Sequence, residues 1–278
     1  MISLILAVFS SALVSIIMRA SSNRIHANRS MLAMNYCICS FLGAMYAKFD
    51  ICPIGEDGFL FALGLGFISG ILFLVSFVLL QVNTQKNGVV LSSVFMKLGL
   101  LVPIATSIVL FGEMPTGIQV IGFCIAVAAI IGINYQKGNG DSKFSMGLIL
   151  LLLVGGSGDV MAKIFEEYGK AHFADLFLFY TFFVALILCL GIVIKKKERP
   201  GKAEFLYGAI IGIPNFFSSK FLIAALKDVP AVIAYPTYSV ATILIVTLTG
   251  VFIFKETLSK RQWYALIAIL IALVLLNI

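Results

Sequence analysis

KNGVVLSSVFMKLGLLVPIATSIVLFGEMPTGIQVIGFCIAVAAIIGINYQ, residues 86–136, and KDVPAVIAYPTYSVATILIVTLTGVFIFKETLSKRQWYALIAILIALVLLNI, residues 227–278, read as one passage written twice. Each is an apolar span, a turn that holds a glutamate, and a second span. Setting Glu113 on Glu256 also sets Phe111 on Phe254 and Gln119 on Gln262, and nearly the same offset sets Arg19 on Lys163 and Tyr36 on Tyr180. Gly66 and Gly70 fall on Gly208 and Gly212 after a slip of about one residue, within the usual error of such alignments. Self-similarity over most of the chain indicates duplication.

The composition places both copies in a membrane. Hydrophobic residues make up 61% and charged residues 12% of the 278, and mean hydropathy is +1.08, well above soluble domains, in which roughly 45–50% of residues are apolar. The apolar runs have the length of spanning helices, not of the short alternating strands of an outer-membrane barrel. Ten spans are predicted, over 1–20, 31–47, 58–81, 88–111, 117–135, 146–165, 174–194, 203–226, 231–254 and 262–278. The predicted organisation is a first five-helix repeat over 1–136, a linker over 137–145 and a second repeat over 146–278. Five is odd, so the second copy enters the membrane upside down. The expected fold is an all-α polytopic protein of two inverted five-helix repeats around a central cavity, an arrangement used by alternating-access transporters.

The formal charge of +7 does not point to nucleic acid, because the basic residues lie in loops between spans. They crowd the connections after odd-numbered spans, Arg24, Arg29, Lys137, Lys143, Lys195, Lys196, Lys197, Lys260 and Arg261 among them, whereas Lys48, Lys163, Lys170 and Lys227 follow even-numbered ones. The positive-inside rule then puts the odd loops in the cytoplasm and both termini outside. The opening segment lacks a basic n-region and its counterpart after Ser145 is internal, so it is expected to stay as the first span. Cys37, Cys39, Cys52, Cys124 and Cys189 show neither metal nor disulfide spacing and read as small packing residues. No metal or cofactor is expected. The partners expected are a small-molecule substrate and the lipid bilayer of the cell (inner) membrane, with monomer and homodimer both open.

Charges at bilayer depth carry the functional reading. Lys97 lies about nine residues into the fourth span and Lys220 about seven from the end of the eighth, both deep for snorkelling. One reading makes them anion contacts, since low dielectric strengthens an ammonium's hold on a carboxylate or phosphate. The other pairs them permanently with Asp159 or with helix-end carbonyls. Asp159 has Lys163 one turn later, the spacing of an intrahelical ion pair, and is also a candidate for proton coupling. Gly155, Gly156 and Gly158 thin the helix around it for close approach. Ser93, Asn215, Tyr235 and Tyr238 complete the predicted substrate-binding set, Tyr235 and Tyr238 sharing a helix face. Pro103, Pro214 and Pro236 can bend their helices, as a gate would need.

Enzymatic chemistry finds few residues. GSGD at Gly156, Ser157, Gly158 and Asp159 resembles the motif of intramembrane aspartyl proteases, but that mechanism needs two carboxylates sharing a proton, and Asp175 sits only at the mouth of the seventh span. There is no HExxH, nucleophile elbow or Walker loop.

The two span, glutamate turn, span passages, LFGEMPTGIQVIGFCIAVAAI and IFKETLSKRQWYALIAILIALVL, resemble the EamA domain of the drug/metabolite transporter superfamily, in two tandem copies over almost the whole chain. The resemblance implies ten helices in two inverted repeats, with the third, fourth, eighth and ninth around the cavity and the fifth and tenth toward the scaffold. It implies both termini inside more often than outside. Members commonly carry basic residues after the second span, where this chain has Asp50, Glu56 and Asp57. Glu113 and Glu256 match the family's glutamates, and each is expected to cap the helix that follows its turn. The reading reached is a secondary transporter of a small polar or anionic metabolite, with Lys97 and Lys220 in contact with it. The alternatives are an exporter of amino acids or cationic and amphipathic compounds coupled to protons through Asp159, an intramembrane enzyme, and a non-transporting sensor or scaffold.

Overall fold

A computed structural model describes residues 1–21, 24–87, 92, 95–134, 146–255 and 260–278. Among these residues the chain forms ten α-helices and no strand. They are α1 Ile2–Ser21, α2 Asn28–Tyr46, α3 Phe59–Asn87, α4 Phe95–Phe111, α5 Gly117–Asn134, α6 Met146–Tyr168, α7 Ala174–Lys196, α8 Lys202–Leu226, α9 Ala231–Phe252 and α10 Lys260–Leu276. Helices α1, α3, α6, α7, α8 and α9 are long and apolar enough to span a membrane, and α4, α5 and α10 are shorter apolar helices.

The main departure from the expected spans is the end of α3, which continues to Asn87 rather than stopping at Gln81. Hydropathy marks where the apolar surface ends, not where the hydrogen-bond ladder ends. Asn83, in this polar extension, is buried and donates to the carbonyls of Leu79 at 2.8 Å and Gly147 at 2.9 Å, tying α3 to the start of α6.

The helices form two compact units, and these do not follow the two sequence repeats. Unit 1 is Met1–Leu74 with Met161–Lys227, and unit 2 is Val75–Val160 with Asp228–Ile278. In unit 1, α1 packs on α8, and α2 on both α7 and α8; in unit 2, α5 packs on α10 and α4 on α9. Each unit therefore draws helices from both halves of the chain. Several helices (α2 with α7, α4 with α9, α5 with α10) pack on their own repeat counterparts, as a two-fold relation between the copies allows. The core of unit 1 is aromatic, with Phe165, Phe173, Phe177, Phe182 and Phe216 buried together, and Phe165 stacks on Phe177 at 4.7 Å.

The inversion can be read from the glycine pairs. A Cβ at Gly66 would come within 2.7 Å of Tyr180 Cβ, and one at Gly70 within 2.6 Å of the Thr181 carbonyl, so α3 lies directly on α7. Gly208 meets Met31 and Met34, and Gly212 meets Asn35 and Ile38, so α8 lies on α2 in the same way. In both pairs the numbering rises together along the two helices, which therefore run parallel. Helix α2 runs the other way along α7: Cys189 reaches the Arg29 carbonyl, Tyr36 meets Phe182, and Gly43 meets Phe179. The second-repeat copy of α2 thus points opposite to α2 itself. Without a hydrophobic force between helices in lipid, such small-residue contacts are a main source of cohesion.

Glu113 reaches beyond its own turn: its Oε2 accepts the backbone N–H of Val232 at 3.2 Å, at the start of α9. Helix α5 is closed by a capping box: Thr116 Oγ1 accepts from Gln119 N–H at 3.2 Å, and Gln119 Oε1 accepts from Thr116 N–H at 3.0 Å. Ser259 and Gln262 repeat this spacing in the sequence, but Ser259 and Glu256 lie outside the described residues. Glu113→Ala is expected to cost about 1 kcal/mol, the usual value of a lost N-cap. It should lower the melting temperature by roughly 2–4 °C, while Glu113→Asp restores part of the loss. A melting temperature unchanged in Glu113→Ala would contradict the assigned contact.

Candidate functional site

Unit 2 carries Lys97 and Asp159. Lys97 sits where α4 tightens into a 3-10 turn at Leu98–Leu100 before continuing as Leu101–Phe111. Pro103 accounts for the change: its ring opposes the carbonyl of Gly99, four residues back, and it has no N–H to donate there. The Gly99 carbonyl instead faces Gly156 of α6, and Gly99 itself leaves 3.1 Å between an added Cβ and Gly156 N. Two glycines thus bring α4 and α6 to backbone contact beside both charged residues. Lys97 and Asp159 interact electrostatically; Lys97 is exposed and Asp159 half-buried. Tyr235 of α9 is buried and its hydroxyl donates to the Asp159 carbonyl at 2.7 Å, fixing the third helix on the same residue. Tyr238, three residues on, is half-buried.

The sequence spacing suggested that Asp159 pairs with Lys163. Lys163 is buried in α6 and bridges Glu166 at 2.8 Å and Glu167 at 3.2 Å. Carboxylates on the next turn satisfy it, so Asp159 serves the other helix. Among the described residues, Ser76, Ser107 and Thr242 of unit 2 hold buried hydroxyls with no protein partner. Ser76 and Ser107 were not singled out by sequence reasoning, which took up span serines only beside Lys97 and Lys220. Ser93 lies outside the described residues.

Unit 1 carries Lys220 and Asn215. The Lys220 ammonium bonds Asp175 Oδ1 at 2.5 Å and sits 3.6 Å from the centre of the Tyr46 ring. Lys220 is therefore paired, though with neither partner considered from the sequence. Asp175 lies in the first turn of α7, at the same membrane face as the end of α8 that Lys220 approaches, and matching those depths would have found it. Asn215 donates to Asn35 Oδ1 at 3.2 Å and to Cys39 Sγ at 3.6 Å, joining α8 to α2.

The loops of unit 1 explain the unexpected acidity after the second span. Asp57 bridges Lys170 at 2.9 Å, and His172 comes within 3.8 Å of Glu56. The Lys170 ammonium, by hydrogen bond and charge, holds the Asp57 carboxyl below the ordinary carboxylate range. On the loop joining α7 to α8, Glu198 bridges Arg29 at 2.6 Å and accepts from Ser30 N–H at 3.3 Å. Glu204 accepts from the backbone N–H groups of Gly201, His26 and Ala27 at 2.8, 2.9 and 3.2 Å. These two acids cap α2 from the other repeat, and Glu204 also caps its own helix. Sequence reading missed both because they lie in a basic run, KKKERPGKAE, read only for its charge.

A profile of the EamA-like transporter family matches residues 144–278. An uncharacterized protein of Haemophilus influenzae is 24% identical over 204 residues, which are 71% of this chain and 69% of that one. The probable 4-amino-4-deoxy-L-arabinose-phosphoundecaprenol flippase subunit ArnE of Proteus mirabilis is 31% identical over 108 residues, 36% of this chain and 95% of its own length. A solved crystal structure shares the fold over 99% of this chain and 94% of that chain, with a TM-score of 0.75 at 13% identity.

Proposed function

This chain belongs to the EamA-like transporter family, and we propose that it is a secondary transporter of a small polar, anionic metabolite that works by alternating access, with Lys97 contacting the substrate's negative charge. The observation that carries this reading is Lys97 itself: a cation deep in an apolar stretch, exposed, with the half-buried Asp159 as its electrostatic neighbour. An intramembrane charge of this kind lines a pathway far more often than it serves packing. The phosphate in the cargo for which the Proteus relative is named supports an anionic substrate. Buried hydroxyls left without partners at Ser76, Ser107 and Thr242 support a second arrangement of unit 2 in which they are used, since a native structure seldom leaves such groups unmet. Asp159 faces Lys97 between substrates, and a proton on Asp159 balances the charge when an anion takes its place.

The test is counterflow in proteoliposomes with anionic candidates first selected by thermal shift. A charge-assisted contact contributes about 1.5–3 kcal/mol, so Lys97→Ala is expected to weaken substrate binding by roughly 10- to 150-fold, with Lys97→Arg keeping a larger share. Transport of every anionic candidate unchanged in folded Lys97→Ala protein would refute the assignment. Asp159→Asn is expected to keep counterflow but lose accumulation against a gradient driven by protons. Undiminished proton-driven accumulation would remove Asp159 from the coupling role.

A further inference from the structure

We propose that Asp175, Tyr46 and Phe216 form a binding site for a primary ammonium group, which Lys220 fills from within and which a small cationic amine takes when the lysine side chain withdraws. The site lies wholly in unit 1 and goes beyond the transport reading built on Lys97. Its geometry is that of a cation site with the cation in place: Nζ is 2.5 Å from Asp175 Oδ1, 3.6 Å from the Tyr46 ring centre and 5.9 Å from that of Phe216. A carboxylate supplies the opposite charge, and the ring faces supply the quadrupole that favours an ammonium over an uncharged amine. The rings are held ready by one another. Tyr46 stacks on Phe216 at 5.7 Å and 19°, and Phe217 stands edge-on to Tyr46 at 5.9 Å.

Three further observations separate this from a structural ion pair. First, the pair is open: the Lys220 and Asp175 side chains keep 26% and 24% of their surfaces accessible, and Tyr46 is 40% exposed. Second, the occupant is tethered by a flexible four-carbon stem and has somewhere to go. Asp175 is the second residue of α7, at the helix mouth, so Nζ already lies toward the aqueous end of its reach. Third, the trio occurs in one repeat only. The offset that sets Tyr36 on Tyr180 places Leu190 opposite Tyr46 and Met31 opposite Asp175, and the offset that sets Gly70 on Gly212 places Val78 opposite Lys220. A contact required by the shared scaffold would recur in both copies, as the glycine pairs do. Because Asp175 already matches the charge of Lys220, the capacity of this site is for a replacement cation and not for an anion.

The experiment titrates propylammonium, with 1-propanol as the neutral control, into the purified full-length protein in lipid nanodiscs, by calorimetry. Lys220→Ala is expected to bind propylammonium at least tenfold more tightly than the wild type, because the tethered competitor is gone. Adding Asp175→Asn should abolish that binding, and adding Tyr46→Leu should weaken it severalfold. A second measurement needs no variant: the NMR signal of the 15N-labelled Lys220 ammonium in the wild type should move toward that of a free lysine as propylammonium is added, because the lysine is displaced into water. Folded Lys220→Ala protein no tighter than wild type, binding that survives Asp175→Asn, equal binding of 1-propanol, or a Lys220 ammonium signal indifferent to propylammonium would each overturn the site.

Discussion

Replacing Gly156 by leucine is expected to leave no folded protein to purify. The first atom added at this position meets the Gly99 carbonyl and lies 2.7 Å from Val102 Cβ and 2.8 Å from Val102 Cγ2. The obstacle is backbone and the stiff root of a β-branched side chain, neither of which can swing aside. Overpacking a core usually costs about 1–3 kcal/mol; here the collision begins at Cβ, so α4 and α6 must part before a leucine side chain finds room. The penalty then becomes a large share of a total stability of about 5–15 kcal/mol. Gly156→Ala should be intermediate, with lower yield and melting temperature. The control is Gly191→Leu on α7, where nothing lies within 4 Å of an added Cβ and yield should stay near wild type. Wild-type yield from Gly156→Leu would mean that α4 and α6 do not touch as described.

The second large effect separates stability from transport at Lys97 and Asp159. Removing one member of a dry ion pair costs about 3–5 kcal/mol, because the survivor is left uncompensated. Lys97 keeps accessible surface but lies within an apolar helix, so the expected loss falls at the lower end of that range, about 3 kcal/mol. Asp159→Ala and Lys97→Ala should both melt lower by that amount. The double variant Lys97→Gln with Asp159→Asn leaves no lone charge, and its melting temperature should return to near wild type. Counterflow should not return with it, since the cation proposed to meet the substrate is gone. If the double variant regained counterflow, the pair would be structural only; if it melted as low as the single variants, the charges would not be coupled.

The helices were legible because apolar length is a local property, and most predicted boundaries lie within a few residues of those observed. Gly66, Gly70, Gly208 and Gly212 were legible as a repeated spacing, yet what they press against depends on which helices come together. The same limit hid the partner of Glu113, which is Val232, 119 residues away. Asp159 shows a local rule giving the wrong partner: the spacing to Lys163 fits an ion pair, but Glu166 and Glu167 fit Lys163 equally well, and sequence alone does not rank them. The amine site was invisible for another reason. Tyr46, Asp175 and Phe216 stand on three helices, and none is unusual in its own segment.

The composition of the two units bears on how the chain is made. Helices α1 and α2 leave the ribosome early, but the surfaces they pack against belong to α7 and α8, which are made more than a hundred residues later. Until then Ser30 and Asn35 of α2, whose partners Glu198 and Asn215 come from the second repeat, have no mate and must be sheltered by an insertion factor or by neighbouring early helices. Biogenesis should therefore resemble a clasp that closes when α8 arrives. Nascent chains arrested before residue 226 should be degraded or held by the insertion machinery. Two separately expressed pieces cut in the 135–145 connection should become stable only when both are present in the same membrane.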